Sequence, residues 1–422
     1  MDATLDAARP SATVSSLADS PSSCADSPSA STSLSAGGGV AARPAVTELR
    51  LSAFGRHRSA VFPLGPVTLF AGASGSGKSQ ALAAYEALAR LASGACLEEV
   101  FPDPPARVPE RAVPDADGRR GFRLGCTVDG PAGSVRLDLA VQAEPGLRIV
   151  GERLSQDGEV LLGTALRDPR RRSVQAAWLT GGAIGVTRAP LPDDRLGTAL
   201  LPLRVAGATA GQRRVLAAAE QVVVALRSVF PCDPRPGRMR APVPQADGRL
   251  RGDCGNLADV LRRTRHECST RHALLAAAAR TGCAGPVTAL DVRTVTGTGP
   301  GARSGGGLVA GVLDRGPGRP ATDLGRLGAG ELRFLALALV LLTGPGVLEV
   351  DPAADVLAAR QALTVLADGL DRGLDRRQSA ELLRLALLSG ARGHVRLAAS
   401  VGEDTAGTAR GLPGVSVVDL TP

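Results

Sequence analysis

The feature that most constrains the fold of this chain is an octapeptide that contains its only lysine. Lys78 lies in Gly72-Ala73-Ser74-Gly75-Ser76-Gly77-Lys78-Ser79, whereas the other 48 of the 49 basic residues are arginine. The octapeptide fits the P-loop pattern, G-x-x-x-x-G-K-[ST], whose backbone N–H groups surround nucleotide phosphates. A compact ammonium reaches into a crowded phosphate site more easily than a planar guanidinium does. The pattern predicts that Lys78 contacts phosphate and that the N–H groups of residues 75–79 cradle it.

The residues around the octapeptide have the order strand, glycine-rich loop, helix. Residues 67–71 form a short apolar run, and residues 78–92 are rich in strong helix formers. This is the context that a P-loop needs, because a helix N-terminus presents free N–H groups and a positive dipole to an anion. The order predicts an α/β fold in which the loop joins a strand to a helix.

The ends and the bulk composition limit the class of protein. Residues 1–45 are mostly Ser, Ala, Pro and Gly, which predicts a disordered tail. Asp2 and Asp6 stand where a signal peptide would be basic, and the longest apolar run, residues 334–342, is far shorter than the ~20 residues of a membrane span. The seven cysteines form no C-x-x-C pair. We therefore expect a cytoplasmic protein with no membrane partner.

The net charge of +8 permits nucleic-acid binding without requiring it. Aromatic residues make up only 2% of the chain, which argues against a stacking surface for single strands. DNA and protein both remain open as partners.

Periodicity predicts the order of elements after the P-loop helix. Residues 121–163 alternate with a period of two and predict strands, beginning with a hairpin. Residues 211–230 and 257–279 predict helices, and residues 287–295 and 307–314 predict strands. Strands over residues 395–399 and 415–418 are expected to complete the sheet.

Two segments in the last hundred residues suggest a second part of a nucleotide site. Residues 327–331, Leu-Gly-Ala-Gly-Glu, open a helix over residues 332–342. Residues 346–351 predict an apolar strand that ends at Asp351. An acid at a strand end is placed to hold Mg²⁺ for phosphates bound after a neighbouring strand. Ser79 and Asp351 are therefore the predicted magnesium ligands, directly or through water.

The P-loop, the signature-like segment 327–331 and the strand ending at Asp351 together resemble the ABC-type ATPase heads of the RecF/SMC class, in particular bacterial AAA family ATPases. The resemblance covers roughly residues 46–420. It implies a P-loop NTPase head built from residues 46–165 and 319–422, with an inserted mixed helical and strand lobe over residues 166–318. It also implies ATP and Mg²⁺ as cofactors, and an ATP-dependent homodimer in which Gly328, Gly330 and Glu331 close over the nucleotide of the partner.

The chain departs from that family at the residues that hydrolyse ATP. Pro352 stands where such heads place a glutamate, and Glu349 and Asp355 are the weaker candidates for a base. No histidine occurs at residues 398–400, where the family has its switch residue, and Gly328 replaces the signature serine. A general base alone contributes ~10²–10⁴ in rate. We therefore expect nucleotide binding with slow hydrolysis.

Three functions follow from these observations. The first is an ATP-gated switch that binds ATP and hydrolyses it weakly. The second is an active ATPase of DNA repair or maintenance that takes its base from elsewhere. The third is a small-molecule kinase that uses the P-loop alone, which the signature-like segment disfavours.

Overall fold

The computed structural model describes residues 43–181, 184–295, 307–350 and 361–421. The strands, in chain order, are β1 (Ala45–Phe54), β2 (His57–Pro63), β3 (Val67–Ala71), β4 (Arg120–Gly130), β5 (Gly133–Glu144), β6 (Arg148–Gln156), β7 (Glu159–Ala165), β8 (Ser173–Leu179), β9 (Val186–Pro192), β10 (Val229–Pro231), β11 (Val243–Pro244), β12 (Ala289–Val295), β13 (Leu308–Asp314), β14 (Thr322–Asp323), β15 (Leu363–Ala367), β16 (Val395–Ser400) and β17 (Val415–Asp419). The helices are α1 (Lys78–Ala92), α2 (Leu97–Val100), α3 (Gly197–Leu200), α4 (Ala210–Arg227), α5 (Pro236–Met239), α6 (Leu257–Glu267), α7 (Ser269–Gly282), α8 (Ala329–Leu342), α9 (Arg376–Ala391) and α10 (Glu403–Ala409). The predicted α/β fold is confirmed.

Most strands of the first half of the chain form one large antiparallel sheet. Its strand order is β2-β1-β4-β5-β6-β7-β8-β9. In β5 every second residue from Val135 to Ala143 is buried and the residues between them are more exposed, as expected for a sheet with one covered face. Helices α1 and α4 pack against this sheet and complete one apolar core.

A second, parallel sheet places the strand ends that matter for the candidate site. Its order is β10-β15-β16-β3-β17, and every neighbouring pair is parallel. Strands β3 and β15 are buried at every position, which is typical of a parallel sheet covered on both faces. Because ligands of such sheets bind beyond the carboxyl ends of the strands, the loops after β3, β15 and β16 form the expected binding edge.

A lobe of short strands and helices separates β10 from α8. It contains α5, α6 and α7 together with a small sheet of order β11-β13-β12, in which β14 also pairs with β13. Strands β8 and β9, which the sequence analysis assigned to the lobe, pair within the large sheet. The helix predicted over residues 257–279 is two helices, because the backbone leaves the helical conformation at Cys268, where φ is −151° and ψ is 87°. The domain limits at residues 165 and 318 stay a prediction.

A strand was predicted over residues 346–351, of which the structure describes residues 346–350. These residues do not form a strand. Pro345–Val347 is a 3-10 turn, and Leu348 makes only an isolated bridge to Leu250 of the lobe. Glycine and proline at residues 344–346 favour a turn over a ladder strand, since proline lacks an N–H donor. The corresponding position in the parallel sheet is taken by β15, which Asp368 follows directly. Asp351, Pro352 and Asp355 lie outside the described residues.

Across the four described ranges, none of the helices is both long enough and apolar enough to span a membrane.

Candidate nucleotide site

The P-loop connects β3 to α1 as the sequence predicted. Helix α1 begins at Lys78, and Gly77 precedes it with φ of 100°, a left-handed conformation that glycine adopts readily. A Cβ atom at Gly77 would lie 2.6 Å from Nε2 of His57, whose buried ring packs on Phe62. The same His57 nitrogen is 3.0 Å from the Gly77 carbonyl oxygen. The loop is therefore held from behind by β2, while residues 73–75 face solvent.

We expect Gly77→Ala to disrupt the loop through both backbone strain and overlap with His57. The matched control is Gly94→Ala, because Gly94 has φ of 95° but open space around the added carbon. Overpacking should lower the free energy of unfolding by about 1–3 kcal/mol more in Gly77→Ala than in the control. Denaturant unfolding and ATP titration measure the two effects. Equal stability and equal ATP affinity in the two variants would contradict the close fit of the loop.

The ammonium of Lys78 lies across its own loop. Its Nζ donates to the carbonyl oxygens of Gly72, at 2.7 Å, and Ala73, at 3.0 Å. An ammonium has three donors, so one remains for a ligand. The Ser76 hydroxyl is buried in the same loop and has no hydrogen-bond partner among the described residues. A cation, an unpartnered hydroxyl and the free N–H groups of a helix start are a donor set that fits a polyphosphate.

A carboxylate that the sequence analysis missed completes this edge of the sheet. The Ser79 hydroxyl donates to Oδ1 of Asp368 at 2.9 Å, and the Ser400 hydroxyl donates to the same oxygen at 2.5 Å. The three residues come from the ends of different elements: Ser79 from α1, Asp368 after β15 and Ser400 at the end of β16. A hydroxyl and a carboxylate beside a phosphate-binding loop are oxygen ligands of the kind that Mg²⁺ prefers. The sequence signal was the apolar run 363–367 before an acid.

The residue directly after Asp368 is a glycine. Gly369 has φ of 67°, and its N–H donates to the Ser400 hydroxyl at 2.7 Å. A Cβ atom built at Gly369 would lie 2.9 Å from both Nε and Nη2 of Arg372. The guanidinium of Arg372 therefore lies where a longer side chain would project.

Glu349 lies elsewhere. Its N–H donates to the carbonyl oxygen of Leu250 at 2.8 Å, and the residue lines a lobe cavity of about 260 Å³ together with Arg249 and Asn256. The structure therefore does not bring Glu349 to the cavity beside Ser79, in contrast to its predicted role as a candidate base.

An open cavity of about 520 Å³ lies beside Ser79 and Asp368. Charged side chains of both signs line it, namely Glu86, Arg107, Asp233, Arg235 and Asp253. Burial raises the pKa of Glu86, and the nearby Arg90 and Arg107 oppose that effect. The cavity is open to solvent and its lining includes charged side chains of both signs, which can bind a charged ligand.

The signature-like segment forms a second, separate surface. Gly328 precedes α8, and its N–H donates to Oε2 of Glu331 at 2.9 Å, while Oε1 of Glu331 accepts from the N–H of Ala284 at 2.8 Å. Glu331 is thus occupied with internal bonds. Gly330 packs so closely that a Cβ atom there would lie 2.3 Å from the carbonyl oxygen of Gly373. Gly328 itself is exposed, so the start of α8 faces solvent.

Two arginines attach this surface to the rest of the fold. Arg240 of the lobe donates to the carbonyl oxygens of Gly325, at 2.6 Å, and Leu327, at 2.8 Å. Arg333, buried on α8, donates to the carbonyl oxygens of Pro234, at 2.7 Å, and Gly369, at 3.1 Å. The start of α8 is therefore linked to the residue that follows Asp368, although none of Gly328, Gly330 and Glu331 lines the described cavity beside Ser79.

No protein-family model matches the sequence, and no curated protein is significantly similar to it. Several solved structures are similar in fold. An SMC head bound to the C-winged helix domain of ScpA has 12% identity and a TM-score of 0.45, covering 85% of this chain and 90% of that one. The SMC head domain from Thermotoga maritima has 13% identity and a TM-score of 0.41, covering 89% and 95%.

A third similar structure is an SMC head with an extended coiled coil, bound to the C-terminal domain of ScpA and derived from Pyrococcus furiosus. It has 12% identity and a TM-score of 0.39, covering 86% of this chain and 91% of that one. With TM-scores below 0.5, these likenesses do not place the chain in a family.

Proposed function

We propose that this chain is an ATP-binding protein of the RecF/SMC-like P-loop class, an ATP-gated switch with weak hydrolysis. The observation that carries the proposal is the 2.9 Å hydrogen bond from the Ser79 hydroxyl to the Asp368 carboxylate. It joins the residue after the P-loop lysine to an acid at the end of a parallel strand, next to an open cavity with charged side chains in its lining. That juxtaposition is what a magnesium–nucleotide complex requires.

Each residue at the site has a distinct role in this proposal. Lys78 and the N–H groups of residues 75–79 bind the phosphates, and Ser79 and Asp368 hold Mg²⁺ directly or through water. Asp368 thus takes the part that the sequence analysis gave to Asp351. When bound, the metal neutralises phosphate charge, and the protein contributes position and charge rather than covalent chemistry.

Weak hydrolysis is proposed because, within the described residues, no carboxylate directly follows Asp368 to activate water. Gly369 has no side chain, and Ser400, at the end of β16, uses its hydroxyl to support Asp368 rather than offering a titrating group. Without a general base, ~10²–10⁴ in rate is lost.

We further propose that ATP brings two copies together. The exposed start of α8 has free N–H groups at its first turn, which attract a phosphate held by a second copy. Arg333 would then transmit the presence of the partner to Gly369, because it bonds both segments. The proposed setting is the cytoplasm.

The experiment combines ATP binding, turnover and size-exclusion chromatography on one preparation, with and without ATP and Mg²⁺. Micromolar binding, turnover well below one per second and an ATP-dependent shift to a dimer are expected under the proposal. Absence of ATP binding would reject it. Binding without a dimer would favour the kinase alternative.

Introducing the missing carboxylate should not restore turnover. In Gly369→Glu the backbone of the new residue must keep φ near 67°, and its side chain must displace the Arg372 guanidinium. Strain of about 1–3 kcal/mol therefore opposes the conformation in which the glutamate could act as a base. We expect turnover within about threefold of the unchanged protein, with Lys78→Ala as the background control. A rise of about 10² would mean that only the carboxylate is lacking.

An active ATPase that manages DNA is the second candidate, and one observation favours it. Arg123 and Arg153 line a cavity of about 610 Å³ on the outer face of the large sheet. Neither guanidinium group has a hydrogen bond or ion pair within the described part of the chain. Turnover that duplex DNA stimulates, and that falls steeply with salt, would support this candidate over the switch.

A further inference from the structure

The space over Gly369 contains a cation instead of a base. The Arg372 guanidinium lies 2.9 Å from the position that a Cβ atom of residue 369 would take. Two internal acceptors approach it at long range: the Asp368 carbonyl oxygen at 3.5 Å from Nη2 and Oδ1 of Asp233 at 4.0 Å from Nη1. The side chain is 60% exposed. Its donors are therefore directed over the loop without being committed to strong internal bonds.

Arg372 shares its nearest carboxylate with two other arginines. Asp233 is the carboxylate nearest to this guanidinium, and it also faces Arg333, at 3.4 Å, and Arg235, at 3.7 Å. Asp233 is thus divided among three guanidinium groups, so Arg372 keeps N–H donors that a bound anion could use.

The location of this charge identifies which part of a nucleotide it would contact. Asp368 accepts a hydrogen bond from Ser79. In the P-loop pattern the lysine reaches the β- and γ-phosphates and the following hydroxyl binds Mg²⁺, so Ser79 and Asp368 would hold the metal near the terminal phosphates. Arg372 follows Asp368 in the same loop and contacts its carbonyl oxygen. If the nucleotide binds in this way, the Arg372 guanidinium would be nearer to the terminal phosphate, which ATP has and ADP lacks, than to the rest of the molecule.

We propose that the Arg372 guanidinium, which lies in the space left by the missing side chain of Gly369, binds the γ-phosphate. This contact would make the site selective for ATP over ADP. The inference rests on the proposed nucleotide site. A guanidinium fork matches two phosphate oxygens, and such charge-assisted hydrogen bonds are about twice as strong as neutral ones. The loop would thus hold the terminal phosphate while offering no carboxylate directly after Asp368, which suits a switch that retains ATP.

The test compares dissociation constants for ATP and ADP, both with Mg²⁺, in Arg372→Ala, in Arg372→Lys and in a matched control. Arg376→Ala is that control, because Arg376 is a nearby exposed arginine at the start of α9. We expect Arg372→Ala to weaken ATP binding by about 10- to 100-fold and ADP binding by less than about threefold. Arg372→Lys should recover part of the selectivity, and the control should change neither affinity.

Equal weakening of both nucleotides, or no weakening of either, would overturn the role of Arg372 while leaving the proposed ATP binding intact. Failure of the unchanged protein to bind either nucleotide would instead reject the proposed function, and the role of Arg372 with it. Thermal unfolding of each variant separates loss of the fold from loss of selectivity, since an exposed arginine should leave stability nearly unchanged.

Discussion

Replacing Lys78 with alanine should weaken ATP binding by about 100-fold or more while leaving the fold intact. The ammonium sits over the loop, held only by the carbonyl oxygens of Gly72 and Ala73, so its removal costs little internal packing. Hydrogen bonds to charged groups contribute about 1.5–3 kcal/mol each, and a lysine that contacts two phosphates would therefore supply about 3–6 kcal/mol. At 1.4 kcal/mol per factor of ten, the lower value already gives about 100-fold. Calorimetric titration with ATP and Mg²⁺ measures the change.

Lys78→Arg is the informative partner of this variant. It keeps the charge but places a bulkier fork in a loop whose backbone is fixed by His57 from behind. We expect its affinity to lie well below that of the unchanged protein. If Lys78→Arg bound ATP as tightly as the unchanged protein, positive charge alone would be needed at this position. The size and shape of the lysine side chain would then not explain why the chain has its single lysine there.

The P-loop could be predicted closely because its signals are local. The apolar run 67–71 and the helix-forming run 78–92 became β3 and α1 with the same bounds. Glycine spacing, the helix start and the buried strand all lie within about 25 residues, so no distant contact was needed to recognise them.

The acid opposite the P-loop could not be chosen from the sequence because two apolar runs compete for the same role. Residues 346–350 precede Asp351, and residues 363–367 precede Asp368. What decides between them is pairing with distant strands: β15 lies between β10 and β16, whereas Leu348 reaches only Leu250 of the lobe. A local pattern does not contain that information, although the Gly-Pro-Gly at residues 344–346 already disfavours a strand start.

Contacts of side chains with residues far along the chain could not be predicted from the sequence either. Arg240 bonds carbonyl groups 85 and 87 residues further along the chain, and the structure uses it to fix the segment before α8. The sequence also carried no sign that the Arg372 guanidinium lies over Gly369. The strand, loop and helix of the candidate site were therefore predictable from local motifs, whereas the side chains gathered around it depended on the tertiary fold.

Asp368→Asn and Asp351→Asn separate the two assignments of the magnesium acid. Asparagine at residue 368 keeps an oxygen that can accept from the hydroxyls of Ser79 and Ser400, but it loses the charge that holds a divalent cation. We expect the Mg²⁺ concentration needed for half-maximal ATP binding to rise by at least about 10- to 100-fold in Asp368→Asn. Asp351→Asn should leave it unchanged.

The effect of Asp368→Asn on ATP binding in the absence of metal provides the internal control. In EDTA, Asp368 repels the phosphates, since two like charges at close range disfavour each other. Metal-free ATP should therefore bind Asp368→Asn as tightly as, or more tightly than, the unchanged protein, and the order should invert when Mg²⁺ is added. A crossover of this kind does not arise from a damaged fold, which would lower both affinities. The opposite result, with Mg²⁺ dependence lost in Asp351→Asn and kept in Asp368→Asn, would identify Asp351, the acid predicted from the sequence, as the magnesium ligand.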